Sequence, residues 1–187
     1  MAVAGGLAIG AANVSREQAE SFQKKLGQIV QQAESSNDRE LRTLVTEGEV
    51  NSYLRYKAGD QLPVGVTDPV IGIQPQGRLN GRAVVDLDII RQKKGTGGWF
   101  DPTSYLTGRL PITASGVLQT ANGIGRFELT SAEVSGIPIP KTFLQEIVTF
   151  YTRTPSTPDG INIDAPFELP AEIRRIDVEQ AKATIVQ

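Results

Sequence analysis

The apolar residues between positions 16 and 34 recur every three or four residues, which is the spacing of one face of an α-helix. Ser15 stands just before this segment, and Gln18 lies three residues after it, a capping-box pattern typical of a helix start. The sequence therefore predicts an amphipathic helix over residues 16–34. Its apolar positions are Ala19, Phe22, Leu26, Ile29, Val30 and Ala33.

Two later segments have the same helical spacing. Thr46 and Glu49 form a second capping box, which predicts a short helix that ends before the segment KAGDQLP. Pro138 and Pro140 introduce a third helix, because proline is tolerated near a first helical turn. This third helix has the strongest apolar stripe of the chain. The stripe consists of Phe143, Leu144, Ile147, Val148 and Tyr151.

From Val64 onward, apolar and polar residues alternate, with Gly, Asn, Pro and Asp at the breaks, which is typical of strands joined by tight turns. Asn122 and Gly123 together favour a two-residue hairpin. The segment between positions 173 and 185 is predicted to form the last strands. Leu41–Val45 is predicted to form a short strand early in the chain. Apolar positions that alternate around the hairpin are Leu110, Ile112, Ala114, Leu118, Phe127 and Leu129.

The order of these elements predicts the fold class. Strands follow one another directly instead of alternating with helices, which favours antiparallel pairing. We therefore expect an α+β fold with a single, mostly antiparallel, twisted sheet, a meander, and two or three amphipathic helices packed on one of its faces. Residues 13–187 are expected to form one domain, since 187 residues suit a single hydrophobic core.

Residues 1–12 differ from the rest of the chain, since an unbroken run of small and apolar residues ends abruptly at Asn13. The run is too short to span a bilayer. It is similar to the end of a signal peptide, although no basic region precedes it. We interpret it as a remnant signal peptide or membrane anchor, which predicts an extracytoplasmic protein of the periplasm or cell envelope. The alternative is an unstructured terminus.

Composition removes several kinds of chemistry. The chain has no histidine and no cysteine, so it cannot form a Ser–His–Asp or Cys–His centre or a thiolate zinc site. A net charge of −2 with mixed signs argues against nucleic-acid binding, which usually requires a basic face. Ser21 and Lys24 have the S-x-x-K spacing of some acyl-transferring enzymes, but the companion motifs are missing. We expect no enzymatic activity and no cofactor.

One predicted strand carries two carboxylates. Val85, Leu87 and Ile89 alternate with Asp86 and Asp88, so the apolar side chains would lie on one face and both carboxylates on the other. Such a pair can hold a divalent cation or share a proton. The sequence shows no further ligands nearby, which favours the solvent-exposed face of a half-buried strand, and no metal is expected.

Two apolar helix stripes over a sheet can close tightly or leave a groove. A groove of this kind suits an acyl chain, because burying each methylene contributes about 0.8 kcal/mol without specific hydrogen bonds. The alternative is ordinary core packing, which is the usual role of such stripes. The predicted groove is lined by Phe22, Leu26, Ile29, Val85, Leu87, Ile89, Phe143, Ile147 and Tyr151.

The loop KKGTGGWFDP, residues 93–102, contains the only tryptophan of the chain. Trp99 and Phe100 could fold back over the core while the glycines permit the bend. They could instead dip into lipid headgroups, with Lys93 and Lys94 meeting anionic lipid, or gate a ligand groove. The loop is therefore a candidate contact with a membrane or partner.

Three segments resemble parts of bacterial envelope proteins of the tubular lipid-binding, TULIP-like type. The stretch TLVTEGEVNSYL at 43–54 is similar to a Thr-x-x-Glu-x-Asn opening before the sheet in such families. VSGIPIPKTFLQEIV at 134–148 and FELPAEIRRIDVEQAKATI at 167–185 are similar to the proline-bounded helix and closing hairpin. The resemblance implies a long helix against a strongly curved sheet with an apolar tunnel. In a chain this short, a shallow groove is expected, or a homodimer that completes it.

These observations predict a non-enzymatic extracytoplasmic protein that binds a lipid or another apolar small molecule. The alternative is a structural or interaction module of the cell envelope with a fully packed core and no ligand. An enzyme would require carboxylates or lysines converging in a polar cleft.

Overall fold

The computed structural model of the protein describes residues 14–35, 40–89, 107–155 and 157–187. Helices and antiparallel strands follow one another along the chain, which confirms the α+β class. The longer helices are α1 (Arg16–Glu34), α2 (Glu47–Tyr56) and α3 (Lys141–Thr152), and a short 3-10 helix covers Gly59–Gln61. The strands are β1 (Arg42–Thr46), β2 (Val66–Ile73), β3 (Arg78–Asp86), β4 (Arg109–Ala121), β5 (Ile124–Val134), β6 (Ile137–Pro138), β7 (Phe167–Glu168), β8 (Arg175–Glu179) and β9 (Lys182–Val186).

The strands divide between two sheets, so the single sheet expected from the sequence is wrong. The large sheet has six strands in the order β2-β3-β4-β5-β6, with β7 paired to β5. The small sheet has the order β1-β9-β8. All pairings are antiparallel, and β2 to β6 form the expected meander. The division arises because β1 pairs with the distant β9 instead of with β2, which follows it.

The predicted turn between β4 and β5 is confirmed. Asn122 and Gly123 both adopt positive φ angles, 51° and 79°, as a two-residue turn of type I′ requires. The pairing continues from Ala121 and Ile124 through most of both strands, and it shifts by one residue between Ser115 and Gly116. This β-bulge adds one residue to β5 and increases its local twist.

Local signals also set the bounds of α1 and α2. The Ser15 hydroxyl accepts a hydrogen bond from the Gln18 N–H and caps α1. The Thr46 hydroxyl and the Glu49 carboxylate form the complete capping box of α2. On α1, Val30 departs from the predicted buried stripe, because its side chain is 52% exposed.

The continuation of β3 beyond Asp86 is a second error of the sequence prediction. The strand ends at Asp86, and residues 87–89 are helical. The Asp86 Oδ1 atom accepts a hydrogen bond of 3.0 Å from the Asp88 N–H, the geometry of a helix N-cap. Strand alternation therefore stops there, and Val85, Leu87 and Ile89 do not share a strand face.

Each sheet has its own hydrophobic core. Helix α3 packs on the large sheet and buries Phe143, Leu144 and Ile147. The strand side of this core contains Val85, Ile112, Ala132 and Val134. Helix α1 contributes Ile29 to a second cluster, beside the small sheet. That cluster consists of Ile29, Leu169 and Ile173, with Ala171, Ile176 and Ile185 packed against it.

Polar contacts join the two parts at the edge strand β2. The Asn51 side chain of α2 accepts a hydrogen bond from the Ile71 N–H and donates one to the Ile71 carbonyl, both 2.7 Å long. At Ile73, the N–H donates to the Glu47 carboxylate and the carbonyl accepts from the Ala181 N–H. Helix α2 and the β8–β9 turn therefore occupy an edge that would otherwise be open.

A second contact connects β4 to β8. The Thr120 hydroxyl donates to the Ile176 carbonyl at 3.1 Å and accepts from the Ile176 N–H at 2.8 Å. Strand β8 is the outer strand of the small sheet, so its free edge rests on the large sheet here.

Among the described helices, none is both long and apolar enough to cross a membrane. The apolar segment 1–12 lies outside the described residues.

Candidate apolar binding site

The residues of the predicted groove lie in two separate regions. Val85, Leu87, Phe143 and Ile147 are buried together in the core of the large sheet. Tyr151 packs against this core and donates a hydrogen bond of 2.6 Å to the Asp86 carbonyl. These side chains contact one another, as ordinary core packing requires.

The α1 residues of the predicted groove lie elsewhere. Ile29 belongs to the cluster beside the small sheet. Phe22 packs edge-on against Tyr53 of α2, with ring centroids 5.3 Å apart. Leu26 is half-buried. Ile89, which follows β3 and does not belong to α1, is also half-buried and lies close to Gly65 at the start of β2. The structure therefore does not combine the α1 and α3 stripes into one lining.

The predicted membrane or partner contact falls outside the part of the chain that the structure describes. Lys93, Lys94, Trp99 and Phe100 all lie outside the described residues.

The strand register reveals a different apolar surface, on the face of the large sheet that α3 covers. Val85 pairs with Leu110, Gly81 with Ala114, and Ala114 with Ala132, so these side chains share that face. Side chains two residues apart extend the face along each strand, and the β-bulge in β5 shifts the face from Ala132 and Val134 to Phe127 and Leu129. We call it the apolar sheet face, and its middle carries Ile71, Leu79, Gly81, Ala83, Ala114, Leu118, Phe127 and Leu129.

These middle residues, which we call the central strip, are all partly exposed. They contrast with Val85, Ile112 and Val134 on the same face, which are buried under α3. Ala114 and Leu129, at the α3 side of the strip, also pack against that core. Beyond the strip, Thr120 contacts β8. The central strip thus lies between two covered ends of one apolar face.

Gly81 marks the open part of the strip. A methyl group added at Gly81 would meet no atom within 4 Å. At Gly116, by contrast, an added methyl would lie 2.4 Å from the Phe127 ring, which covers that glycine. The face therefore has free space at Gly81 and aromatic packing one row away.

The electrostatics of the two sheet faces differ. On the apolar sheet face, the described residues of β3, β4 and β5 carry no charge, and the hydroxyl of Thr120 is already paired. In β2, the exposed Asp68 lies in the bulge opposite Ala83. The opposite face carries charges of both signs. They include Arg78, Arg82, Asp86, Arg126, Glu128 and Glu133.

The groups that suggested polar chemistry have structural partners. Asp86 caps a helical turn through the Asp88 N–H. In the part of the chain that the structure describes, no group of three or more acidic side chains could hold a metal ion. Ser21 donates to the Glu49 carboxylate at 2.6 Å, and the lysine that joins them is Lys25, not Lys24 of the S-x-x-K pattern.

Two side chains in these contacts have shifted pKa values. Burial alone would raise the pKa of Glu49, but hydrogen bonds from Lys25, Ser21 and the Thr46 N–H outweigh it and hold that pKa below its usual value. Burial, together with the Asp86 charge, raises the pKa of Tyr151 to about 12. Both shifts accompany structural hydrogen bonds, and neither group lies on the central strip.

The alternating sequence pattern predicted part of the central strip, but it did not predict Gly81. Ala114, Leu118, Phe127 and Leu129 were expected at the apolar positions of alternating strands. The strand register places all four on the apolar sheet face. Gly81 carries no hydrophobic signal, and it joins the strip only through its pairing with Ile71 and Ala114.

No protein-family model matches the chain, and neither a curated protein nor a solved structure is significantly similar to it.

Proposed function

We propose that the protein is a non-enzymatic binder of a lipid or another apolar small molecule, seated on the central strip. The observation that carries the proposal is the partial exposure of a charge-free apolar surface between two covered ends. An extracytoplasmic location belongs to the same proposal and depends on the apolar run at residues 1–12.

The energetics of the strip suit hydrocarbon. Covering partly exposed apolar surface contributes roughly 25 cal/mol per Å², and each methylene of a ligand about 0.8 kcal/mol. The strip offers no charged partner among its described residues, so it suits an acyl chain better than a polar metabolite. The free space at Gly81 gives that chain a position in contact with the sheet.

Lipid binding is tested with the purified chain and a fluorescent fatty acid, and by native mass spectrometry for lipids that co-purify. We expect saturable binding that Gly81→Leu weakens about tenfold or more, equivalent to at least about 1.4 kcal/mol. Arg82→Leu is the matched control, because Arg82 is adjacent in β3 but points to the opposite face. Absence of both co-purified lipid and probe binding would reject the proposal.

The second candidate function is a structural or interaction module of the cell envelope with a packed core and no ligand. It is favoured by the mutual packing of Val85, Leu87, Phe143 and Ile147, which were expected to line a groove. The same experiment separates the two functions. A module predicts no probe binding, and Gly81→Leu and Arg82→Leu variants that behave alike.

Membrane contact and dimer formation remain further predictions. A blue shift of Trp99 fluorescence with anionic vesicles would support contact through Lys93, Lys94, Trp99 and Phe100. Sedimentation equilibrium would detect a homodimer that completes the site.

A further inference from the structure

Strand β5 has an open segment on its outer edge, next to the central strip. At one end of β5, Ile124 and Gly125 pair with β7. At the other end, Glu133 and Val134 pair with β6. Neither strand reaches residues 126–131, which we call the open edge of β5. Its length is about 20 Å at 3.3 Å per residue.

The register shows which peptide groups point out of this edge. The Leu118 N–H donates to the Gly77 carbonyl at 2.8 Å, so the peptide groups of Leu118 point toward β3. Its partner on β5, Phe127, therefore points its N–H and carbonyl away from β4. Leu129 has the same parity, because Gly116 and Leu118 are two residues apart.

These outward groups are unpaired within the described chain. No backbone hydrogen bond joins the outward N–H or carbonyl of Phe127 or Leu129 to another described residue. The side chains of the same two residues belong to the central strip. Hydrogen-bonding peptide groups and apolar side chains therefore meet along one border of the strip.

Among the described residues of β5, none places a charged side chain on the strip side of this border. Arg126 and Glu128 alternate with Phe127 and Leu129, so their side chains lie on the opposite face of the sheet. An ionised group placed on the strip would lose water without gaining a charged partner, which is costly. An uncharged carbonyl or hydroxyl would find donors and acceptors in the two exposed peptide units.

We propose that the ligand is an uncharged acyl lipid, with its hydrocarbon chain on the central strip and an ester, amide or hydroxyl group hydrogen-bonded at the open edge of β5. This inference rests on the proposed lipid-binding function and specifies its ligand. It predicts that the site selects against a free carboxylate.

The first test compares the binding of three ligands whose hydrocarbon chains have the same length: dodecanoate at pH 8, dodecanol and 1-dodecanoylglycerol. We expect the glycerol ester to bind about tenfold more tightly than the anion, the equivalent of about 1.4 kcal/mol. Equal or tighter binding of dodecanoate would overturn the inference while leaving lipid binding intact. If none of the three binds, the proposed function itself fails.

The second test locates the polar end of the ligand by amide hydrogen exchange. In the ligand-free protein, the amides of Arg126 and Glu128 should exchange slowly, because they point toward β4. Those of Phe127 and Leu129 should exchange fast and become slow when 1-dodecanoylglycerol is added. Binding without this change would contradict the edge contact. Protection that instead rises with protein concentration, without lipid, would mean pairing between copies of the chain and would also overturn the inference.

Discussion

Glu49 connects three elements through one carboxylate. It completes the capping box of α2 with Thr46, accepts from Ser21 of α1, and forms an ion pair with Lys25 at 2.7 Å. The residue is only 6% exposed, so these partners replace the water that the charge has lost. Removing the charge should therefore loosen the contact between α1 and α2.

This arrangement predicts a pH dependence with a definite sign. Because the folded-state pKa of Glu49 is lowered, its contribution to stability is present above the unfolded pKa of about 4.3 and is lost as pH falls through the folded value. Urea unfolding between pH 7 and pH 3 should show a loss of stability that Glu49→Gln reduces. Glu20→Gln, on the exposed side of α1, is the control. Identical pH profiles for wild type and Glu49→Gln would contradict the role assigned to Glu49.

The raised pKa of Tyr151 predicts a loss of stability at high pH. Its pKa is raised to about 12, so the stability associated with its neutral phenol is complete below pH 10 and is lost as pH rises toward 12. Absorbance titration should show a phenol that ionises late, and Tyr151→Phe should remove it. Tyr56→Phe, at an exposed position, should leave that component in place. A late-ionising phenol that persists in the Tyr151→Phe variant would contradict its assignment to Tyr151.

At the scale of elements, α2 acts on β2 as a neighbouring strand would. The Asn51 amide presents one donor and one acceptor to Ile71, in the way that a paired peptide unit does. Pro69 and the positive φ of Asp68 interrupt the other half of the strand. Side-chain pairing and a bulge therefore protect the two halves of β2 from edge-to-edge association.

Asn51→Ala should destabilise the fold by about 3 kcal/mol, because it removes two hydrogen bonds and leaves both peptide groups of Ile71 without partners. The midpoint of urea unfolding measures this loss. Arg55→Ala, on the exposed side of the same helix, should change stability by less than about 0.5 kcal/mol. Equal effects of the two substitutions would mean that the Asn51 contacts contribute nothing specific.

Elements with local signals could be predicted from the sequence, and elements that depend on distant partners could not. The capping residues Ser15 and Thr46, and the turn at Asn122, act within a few residues of the structure they start. The pairing of β1 with β9 has no local signal. The end of β3 was missed because Asp86 fits an alternating strand as well as it fits a helix cap.

At the scale of the whole molecule, the candidate site depends on register. The predicted groove used hydrophobic stripes on α1 and α3, but each stripe belongs to a different core. The central strip instead combines residues from four strands, and their common face follows only from the pairing. A glycine such as Gly81 contributes by leaving space, which hydrophobic periodicity does not report.

Thr120 joins the two sheets, so its hydroxyl should matter for the stability of the whole. Thr120→Val keeps the shape but leaves the N–H and carbonyl of Ile176 without partners, which should cost about 2 kcal/mol. Thr120→Ser retains the hydroxyl and should cost less than about 1 kcal/mol. Urea unfolding measures both variants. A valine variant as stable as the serine variant would show that the sheets are held together by other contacts.

The covering of β2 also has a consequence for folding kinetics. The Ile73 carbonyl accepts a hydrogen bond from the Ala181 N–H. Strand β1 pairs with β9, which lies more than a hundred residues further along the chain. Such non-local pairing forms slowly, because a long loop must close first. Until then, the meander β2–β5 exists with part of its edge uncovered, which makes it prone to association with other unfinished chains. The C-terminal hairpin therefore completes the small sheet and, in the same step, covers the end of β2 that another chain could otherwise pair with.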